Sequence, residues 1–294
     1  MASMWEREKL TWPHHEVSRF VKAGGLRWHV QQLGSGPVLL LIHGTGASTH
    51  SWRRVMPLLA QHYTVLAVDL PGHAFTDSLA GDHRQVAARS SIAGMSGCLA
   101  ALLRELGAEI SYCVGHSAGA VVLCGMALDG HIAPRVIVSI NGAFVPLAGP
   151  AGTLFSPIAR LLASGPLLPR ILSWSAGHPA SVARLIEGTG SHLDAEGVNL
   201  YARLVRCPKH VAGALEMMGN WDLYGFERRL PKLTTPLALI VAENDRTVPP
   251  SQAQWVEQRV AHSEIHRLLR LGHLAHEENP VLVAEQIAGI CRAH

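Results

Sequence analysis

Short, uninterrupted apolar runs recur along this chain, and between them lie stretches whose apolar positions repeat at helical spacing. Val38-Leu-Leu-Leu-Ile42 has no polar member, the pattern of a strand covered on both faces of a sheet. Thr64 to Val68, Ser111 to Gly115, Arg135 to Ile140, Leu237 to Ala242 and Ile265 to Leu271 read as further strands. Ahead of them, Val17 to Lys22 and Leu26 to Gln31 flank Gly24-Gly25 as an opening hairpin. Helices are expected over Ser51 to Gln61, Ser91 to Leu106, Ala118 to Leu128, Ser251 to Val260 and Pro280 to Ile290. Gly107 and Gly130 stand where two of them should end. Strands alternating with helices predict an α/β fold with a doubly wound, mostly parallel sheet.

The pattern breaks between Phe144 and Pro236. Nothing there reads as a strand, and Pro, Gly, Leu, Trp and Met are abundant. So long a segment is not a plain loop in a compact domain. It reads as a helical cap over 144–236, inserted into a core made of residues 1–143 and 237–294.

Composition narrows the classes. At 48% hydrophobic and 16% charged, the chain must bury a core, which excludes a disordered polyelectrolyte. A net charge of +3 leaves no nucleic-acid footprint, and no apolar run is long enough to span a membrane. The five cysteines are widely spaced with no CxxC pair, as expected of reduced thiols in a cytoplasmic protein. The opening MASMWEREKLTWPHH is charged and broken by Pro13, unlike a signal or transit peptide. Neither a metal motif of the H-E-x-x-H kind, nor a phosphate loop, nor a full dinucleotide fingerprint occurs, so neither metal nor cofactor is expected.

The chemistry concentrates at Gly115-His116-Ser117-Ala118-Gly119, between a predicted strand and a predicted helix. Small residues on both sides allow a sharp turn that lifts the Ser117 hydroxyl above the sheet, beside a helix N-terminus that favours negative charge. A serine needs a base and an orienting acid. Asp245 follows the strand Leu237 to Ala242, and His273 follows the next one. His273 would take the serine proton while Asp245 holds its tautomer. Glu243 and His276 are the weaker candidates for acid and base. Asp69 is expected to close the Asp-Leu-Pro-Gly turn. The oxyanion donors should be the backbone N–H groups of Ala118 and of Thr45, in His43-Gly44-Thr45-Gly46, with His43 holding that loop.

Ser117, Asp245 and His273 stand in the chain order of the α/β-hydrolase superfamily, which the sequence resembles. A serine at the elbow sets it apart from the dehalogenases and epoxide hydrolases of that fold, which use an aspartate there. Within the superfamily the chain resembles the magnesium-chelatase accessory family of bacteriochlorophyll biosynthesis. That likeness rests on Ser18 to Val30, His43 to Trp52, Leu185-Ile-Glu-Gly-Thr-Gly190, Leu200 to Leu204, His210 to Asp222 and Gly272 to Glu278. Ala74 departs from the wider pattern, which has glycine there.

The resemblance implies a role at or near magnesium insertion into a porphyrin, with chelatase subunits as candidate partners. Two functions follow. One is a serine hydrolase, most simply an esterase, whose cap encloses an apolar, tetrapyrrole-sized substrate against Trp174, Met217, Met218 and Trp221. The other is a non-catalytic binder of a porphyrin or of a chelatase subunit that retains the hydrolase fold.

Overall fold

The computed structural model describes residues 4–146, 169–170, 173 and 177–294. Its sheet is built from β1 (Ser18–Ala23), β2 (Leu26–Leu33), β3 (Val38–Ile42), β4 (Thr64–Val68), β5 (Ile110–His116), β6 (Val136–Ile140), β7 (Leu237–Ala242) and β8 (Ser263–Leu268). The order across the sheet is β1-β2-β4-β3-β5-β6-β7-β8. The β1–β2 and β2–β4 pairs are antiparallel, and every later pair is parallel.

The unbroken apolar runs are explained by two cores, one on each face of the sheet. Leu40 and Ile42 of β3 enter one, with Leu66 and Val68 of β4 and Leu237, Leu239 and Val241 of β7. Leu39 and Leu41 enter the other, with Val65, Ala67, Ala238, Ile240 and Ala242. Because successive side chains of a strand point to opposite faces, a strand covered on both sides needs apolar residues throughout.

The first face is covered by α4 (Ile92–Leu106), α5 (Ala118–Leu128) and α10 (Ser251–Glu257); the second by α2 (Val55–Leu59), α11 (Ala275–Glu278) and α12 (Pro280–Ala293). A short α3 (His83–Ser90) precedes α4. Asp82 and Gln85 close it with a capping box, a signal present in the sequence and passed over there. Ser91 caps α4, and Gly107 ends it in the left-handed region.

Two predicted elements differ. The helix expected over Ser51 to Gln61 is a 3-10 turn (Thr49–Trp52) followed by α2. Pro57 has no N–H to give the Arg53 carbonyl, which accepts from the His14 ring at 2.7 Å instead. The last strand ends at Leu268 rather than Leu271, and Arg270 takes φ +60° just beyond it.

Between β6 and β7, the elements among the described residues are helical: α6 (Pro179–Gly188), α7 (Ala195–Val205), α8 (Pro208–Asn220), α9 (Leu223–Arg229) and one 3-10 turn. The N-terminal segment, with α1 (Met4–Glu8), is part of this packing. Trp5 and Trp12 join Phe75 with Leu200 and Leu204 of α7, and Arg203 Nε donates to Glu8 at 2.5 Å.

Candidate active site

β5 ends at His116 and α5 begins at Ala118, so the reversal falls on Ser117, which adopts φ +50° and ψ −115°. For a residue with a Cβ that conformation is strained by about 1–3 kcal/mol and persists only where the surroundings impose it. The flanking glycines are required by close approach. A Cβ on Gly115 would lie 2.4 Å from the Ala120 nitrogen, and one on Gly119 would lie 2.3 Å from the Ile42 carbonyl oxygen. The Ala118 N–H opens α5 and has no partner within the helix.

His273 Nδ1 donates to Asp245 Oδ2 at 2.7 Å. The other oxygen of Asp245 accepts the Thr247 and Val248 N–H groups at 2.7 and 2.8 Å, so the carboxylate is held at both ends. This arrangement keeps the proton on Nδ1 and leaves Nε2 as the basic nitrogen. Both residues are buried, and Ser117 and His273 open on the same cavity. Glu243, the competing acid, is exposed beside this loop.

The backbone around His273 is pinned from several elements. Its carbonyl accepts from His116 Nε2 and from Asn141 Nδ2, both at 2.9 Å. Asn141 also donates to the Gly272 carbonyl and accepts the Ala242 N–H, joining the ends of β6 and β7 to the histidine loop. The Leu274 N–H donates to Ser191 Oγ, and the Gly272 N–H to Glu278. His276, the competing base, is fully buried between Trp52 and His116, and burial holds it down at about 3.

On the far side of Ser117, the Gly44-Thr45-Gly46-Ala47 turn is closed by the Ala47 N–H donating to the Gly44 carbonyl, with Gly46 at φ +76°. His43 accepts the Leu70 N–H on Nε2 and donates from Nδ1 to the Gly44 carbonyl at 2.8 Å. Because a trans peptide points its N–H opposite to its C=O, anchoring the Gly44 carbonyl also orients the Thr45 N–H. Asp69 is fully buried and accepts from His29, Thr49 N–H and Phe75 N–H. Its pKa sits at about 2: burial opposes ionisation, but His29 and these hydrogen bonds outweigh it.

The cavity above Ser117 has a volume of about 370 Å³. Core loops form its floor through Thr45, Ser117, Ala118 and His273, while Ile186, Tyr201, Met218 and Trp221 come from the helical segment. Met218 and Trp221 therefore line it. Met217 does not: it is fully buried beneath the wall, and its sulfur accepts the Thr45 hydroxyl at 3.6 Å. The i,i+1 spacing on α8 forces these two methionines onto different faces. Trp174 lies outside the described residues.

Sequence reasoning missed how closely this helical segment grips the core. A Cβ on Gly213 of α8 would lie 2.3 Å from the Gly72 carbonyl oxygen, so the two backbones touch. Gly190 lies against Asn244 on one side and Gly272 on the other, and the Arg246 N–H donates to the Thr189 carbonyl. Arg53 donates to Glu277 at 2.5 Å and pairs with Asp194 at the start of α7, while Tyr201 donates to the other oxygen of Glu277. Burial pushes the Glu277 carboxyl up to about 7 against the pull of Arg53 and Tyr201. The stretches Leu185 to Gly190 and His210 to Asp222 are thus contact surfaces toward the loops that carry Asp245, His273 and Thr45.

Among the described residues, no three His, Cys, Asp or Glu side chains are disposed to hold a metal ion, and no single helix is long and apolar enough to cross a membrane.

A sharp strand–serine–helix turn, an acid and a histidine after later strands, and a parallel sheet beneath them define a class, and the chain belongs to the alpha/beta hydrolase family, whose model matches residues 39–286. It is 35% identical over 268 residues to the magnesium-chelatase 30 kDa subunit of Rhodobacter capsulatus, covering 90% of this chain and 91% of that one. It is also 25% identical to the uncharacterized hydrolase YugF of Bacillus subtilis, over 88% of this chain and 91% of the relative. Among solved structures, an alpha/beta hydrolase fold protein from Burkholderia ambifaria matches with a TM-score of 0.75 at 26% identity, covering 93% of this chain and 97% of that one.

Proposed function

We propose that this protein is a serine hydrolase that cleaves an ester bearing an apolar group, through an acyl-enzyme on Ser117. The observation that carries the reading is the 2.7 Å bond from His273 Nδ1 to a doubly anchored Asp245, with His273 and the strained Ser117 facing one apolar-walled cavity. Ser117 Oγ attacks the ester carbonyl as its proton passes to His273 Nε2. The Thr45 and Ala118 N–H groups hold the oxyanion, and the alcohol leaves with the proton from His273. Water then attacks the acyl-enzyme through the same imidazole and releases the acid. The insertion at 144–236 acts as the cap, with Met218 and Trp221 against the apolar part of the substrate. Five free cysteines fit a cytoplasmic setting.

The likeness to a chelatase subunit supports work at or near the magnesium-insertion step of bacteriochlorophyll biosynthesis, with a tetrapyrrole ester as the substrate to screen first. The same likeness favours one other reading, a non-catalytic partner of a porphyrin or of chelatase that keeps the hydrolase fold. Reaction of the purified protein with a fluorophosphonate probe decides between them. Stoichiometric labelling that is lost in Ser117→Ala and falls by about 10³-fold or more in His273→Ala is the expected result. A folded wild-type protein that stays unlabelled would sink the hydrolase reading in favour of the binder.

A further inference from the structure

His210 lies on α8, outside the triad, and is buried between two core loops. Its Nδ1 accepts the Ala74 N–H at 3.0 Å, which puts the ring proton on Nε2, and Nε2 donates to the Gly46 carbonyl at 3.1 Å. Burial holds the ring at about 4, so it is neutral near pH 7, the state in which one nitrogen can accept while the other donates. Both bonds end on unusual backbone. Ala74 is a non-glycine residue at φ +42°, and Gly46 is the left-handed member of the turn beside Ser117.

Two trans peptides in series connect this ring to the oxyanion donor. The Gly46 carbonyl and the Ala47 N–H belong to one peptide plane, and that N–H donates to the Gly44 carbonyl at 3.1 Å. The Gly44 carbonyl and the Thr45 N–H belong to the next plane. Orienting the first plane therefore orients the second. A second tie from the same helix, Met217 to the Thr45 hydroxyl, acts on the same residue.

We infer that His210 is a positioning residue for the oxyanion hole: through Gly46 and Ala47 it sets the direction of the Thr45 N–H. The inference rests on the serine hydrolase reading. It assigns α8 a place in the chemistry as well as in enclosing substrate. The adjoining contact between Gly213 and Gly72 holds the helix close enough for the imidazole to reach.

The two hydrogen bonds can be separated by side-chain length. His210→Gln places an amide donor near the Nε2 position and keeps the bond to Gly46. His210→Asn places an acceptor near the Nδ1 position, keeping the bond to Ala74 and losing Gly46. The readout is fluorophosphonate inactivation, resolved into the maximal rate and the half-saturating probe concentration, because the phosphoryl oxygen of the probe occupies the oxyanion position. His210→Asn and His210→Ala should lower the maximal rate about tenfold to a hundredfold, with half-saturation within about threefold of wild type. His210→Gln should stay within about threefold in both.

Should His210→Asn fold poorly, adding Ala74→Gly removes the strained position and supplies a folded background. Wild-type rates in folded His210→Asn and His210→Ala would overturn the inference. So would equal losses in the Asn and Gln variants, since only one of them breaks the bond to Gly46. A wild-type protein that does not label removes the hydrolase reading itself, which is a different result from labelling that ignores residue 210.

Discussion

On the His273 side of the cavity, two side chains of the core converge on one carbonyl, His116 from β5 and Asn141 from the end of β6. On the side of Thr45, one core histidine and one histidine of the helical segment each hold a carbonyl of the Gly44–Ala47 turn. His273 is held mainly from the sheet, while the Gly44–Ala47 turn depends on a helix more than 160 residues further along the chain. A strand end is stiffened by its neighbours, whereas a four-residue turn with two glycines has no such support and needs outside anchors. Of the two arrangements, the Gly44–Ala47 turn is the easier to disturb.

Acid is the largest lever on that contrast. His210 titrates at about 4 and His276 at about 3 in the fold, both held down first by burial, against about 6.5 when unfolded. As pH falls from 6.5, the unfolded chain takes up protons that the fold refuses, so stability declines toward pH 4 and levels off below the folded values. His210 alone should contribute a loss of about 3 kcal/mol over that window. Chemical denaturation at pH 7 and pH 4.5 measures it, and His210→Asn should be the less acid-sensitive protein. Below about pH 4, protonation of Asp69 adds a separate loss, because its carboxylate is stabilised in the fold.

Asn141→Ala tests the base side. It leaves the Ala242 N–H unpaired and removes one of two donors from the His273 carbonyl, for an expected cost of about 2 kcal/mol. The fluorophosphonate rate should fall about tenfold, a smaller change than the triad variants give, because His116 still holds the carbonyl. An unchanged rate would mean that His116 suffices. At the helix–core contact, Gly213→Ala forces a Cβ against the Gly72 carbonyl and should destabilise by about 1–3 kcal/mol in the same denaturation assay. Gly188→Ala, at the end of α6 with open space around it, should instead gain about 0.5 kcal/mol.

The core was legible in the sequence because its strands are covered on both faces and announce themselves as runs without polar residues. The strand-end positions of Ser117 and Asp245 were legible because each follows such a run, and that of His273 because it follows the more polar edge strand β8. What escaped was support that local sequence does not encode. Asn141 looks like a polar residue closing a strand, and nothing nearby says that its amide will reach Gly272 and His273, more than a hundred residues on. His210 looks like one more histidine in a chain with 18 of them. Met217 and Met218 were read together as pocket residues from composition, although helical geometry turns neighbours to different faces. The early end of β8 was equally hidden, since Leu269 and Leu271 continue the apolar pattern while the backbone reverses at Arg270.

The seat of Gly190 has a consequence for how the molecule is made. Its neighbours, Asn244 and Gly272, lie on loops that follow β7 and β8 and leave the ribosome well after it. A chain synthesised from its N-terminus can form β3, β4, β5 and the serine turn early, but the Leu185 to Gly190 stretch has nothing to close against until the last quarter of the protein has emerged. The proposed site is therefore assembled only at the end of synthesis, because a nascent chain carries Ser117 before Asp245 and His273 have emerged.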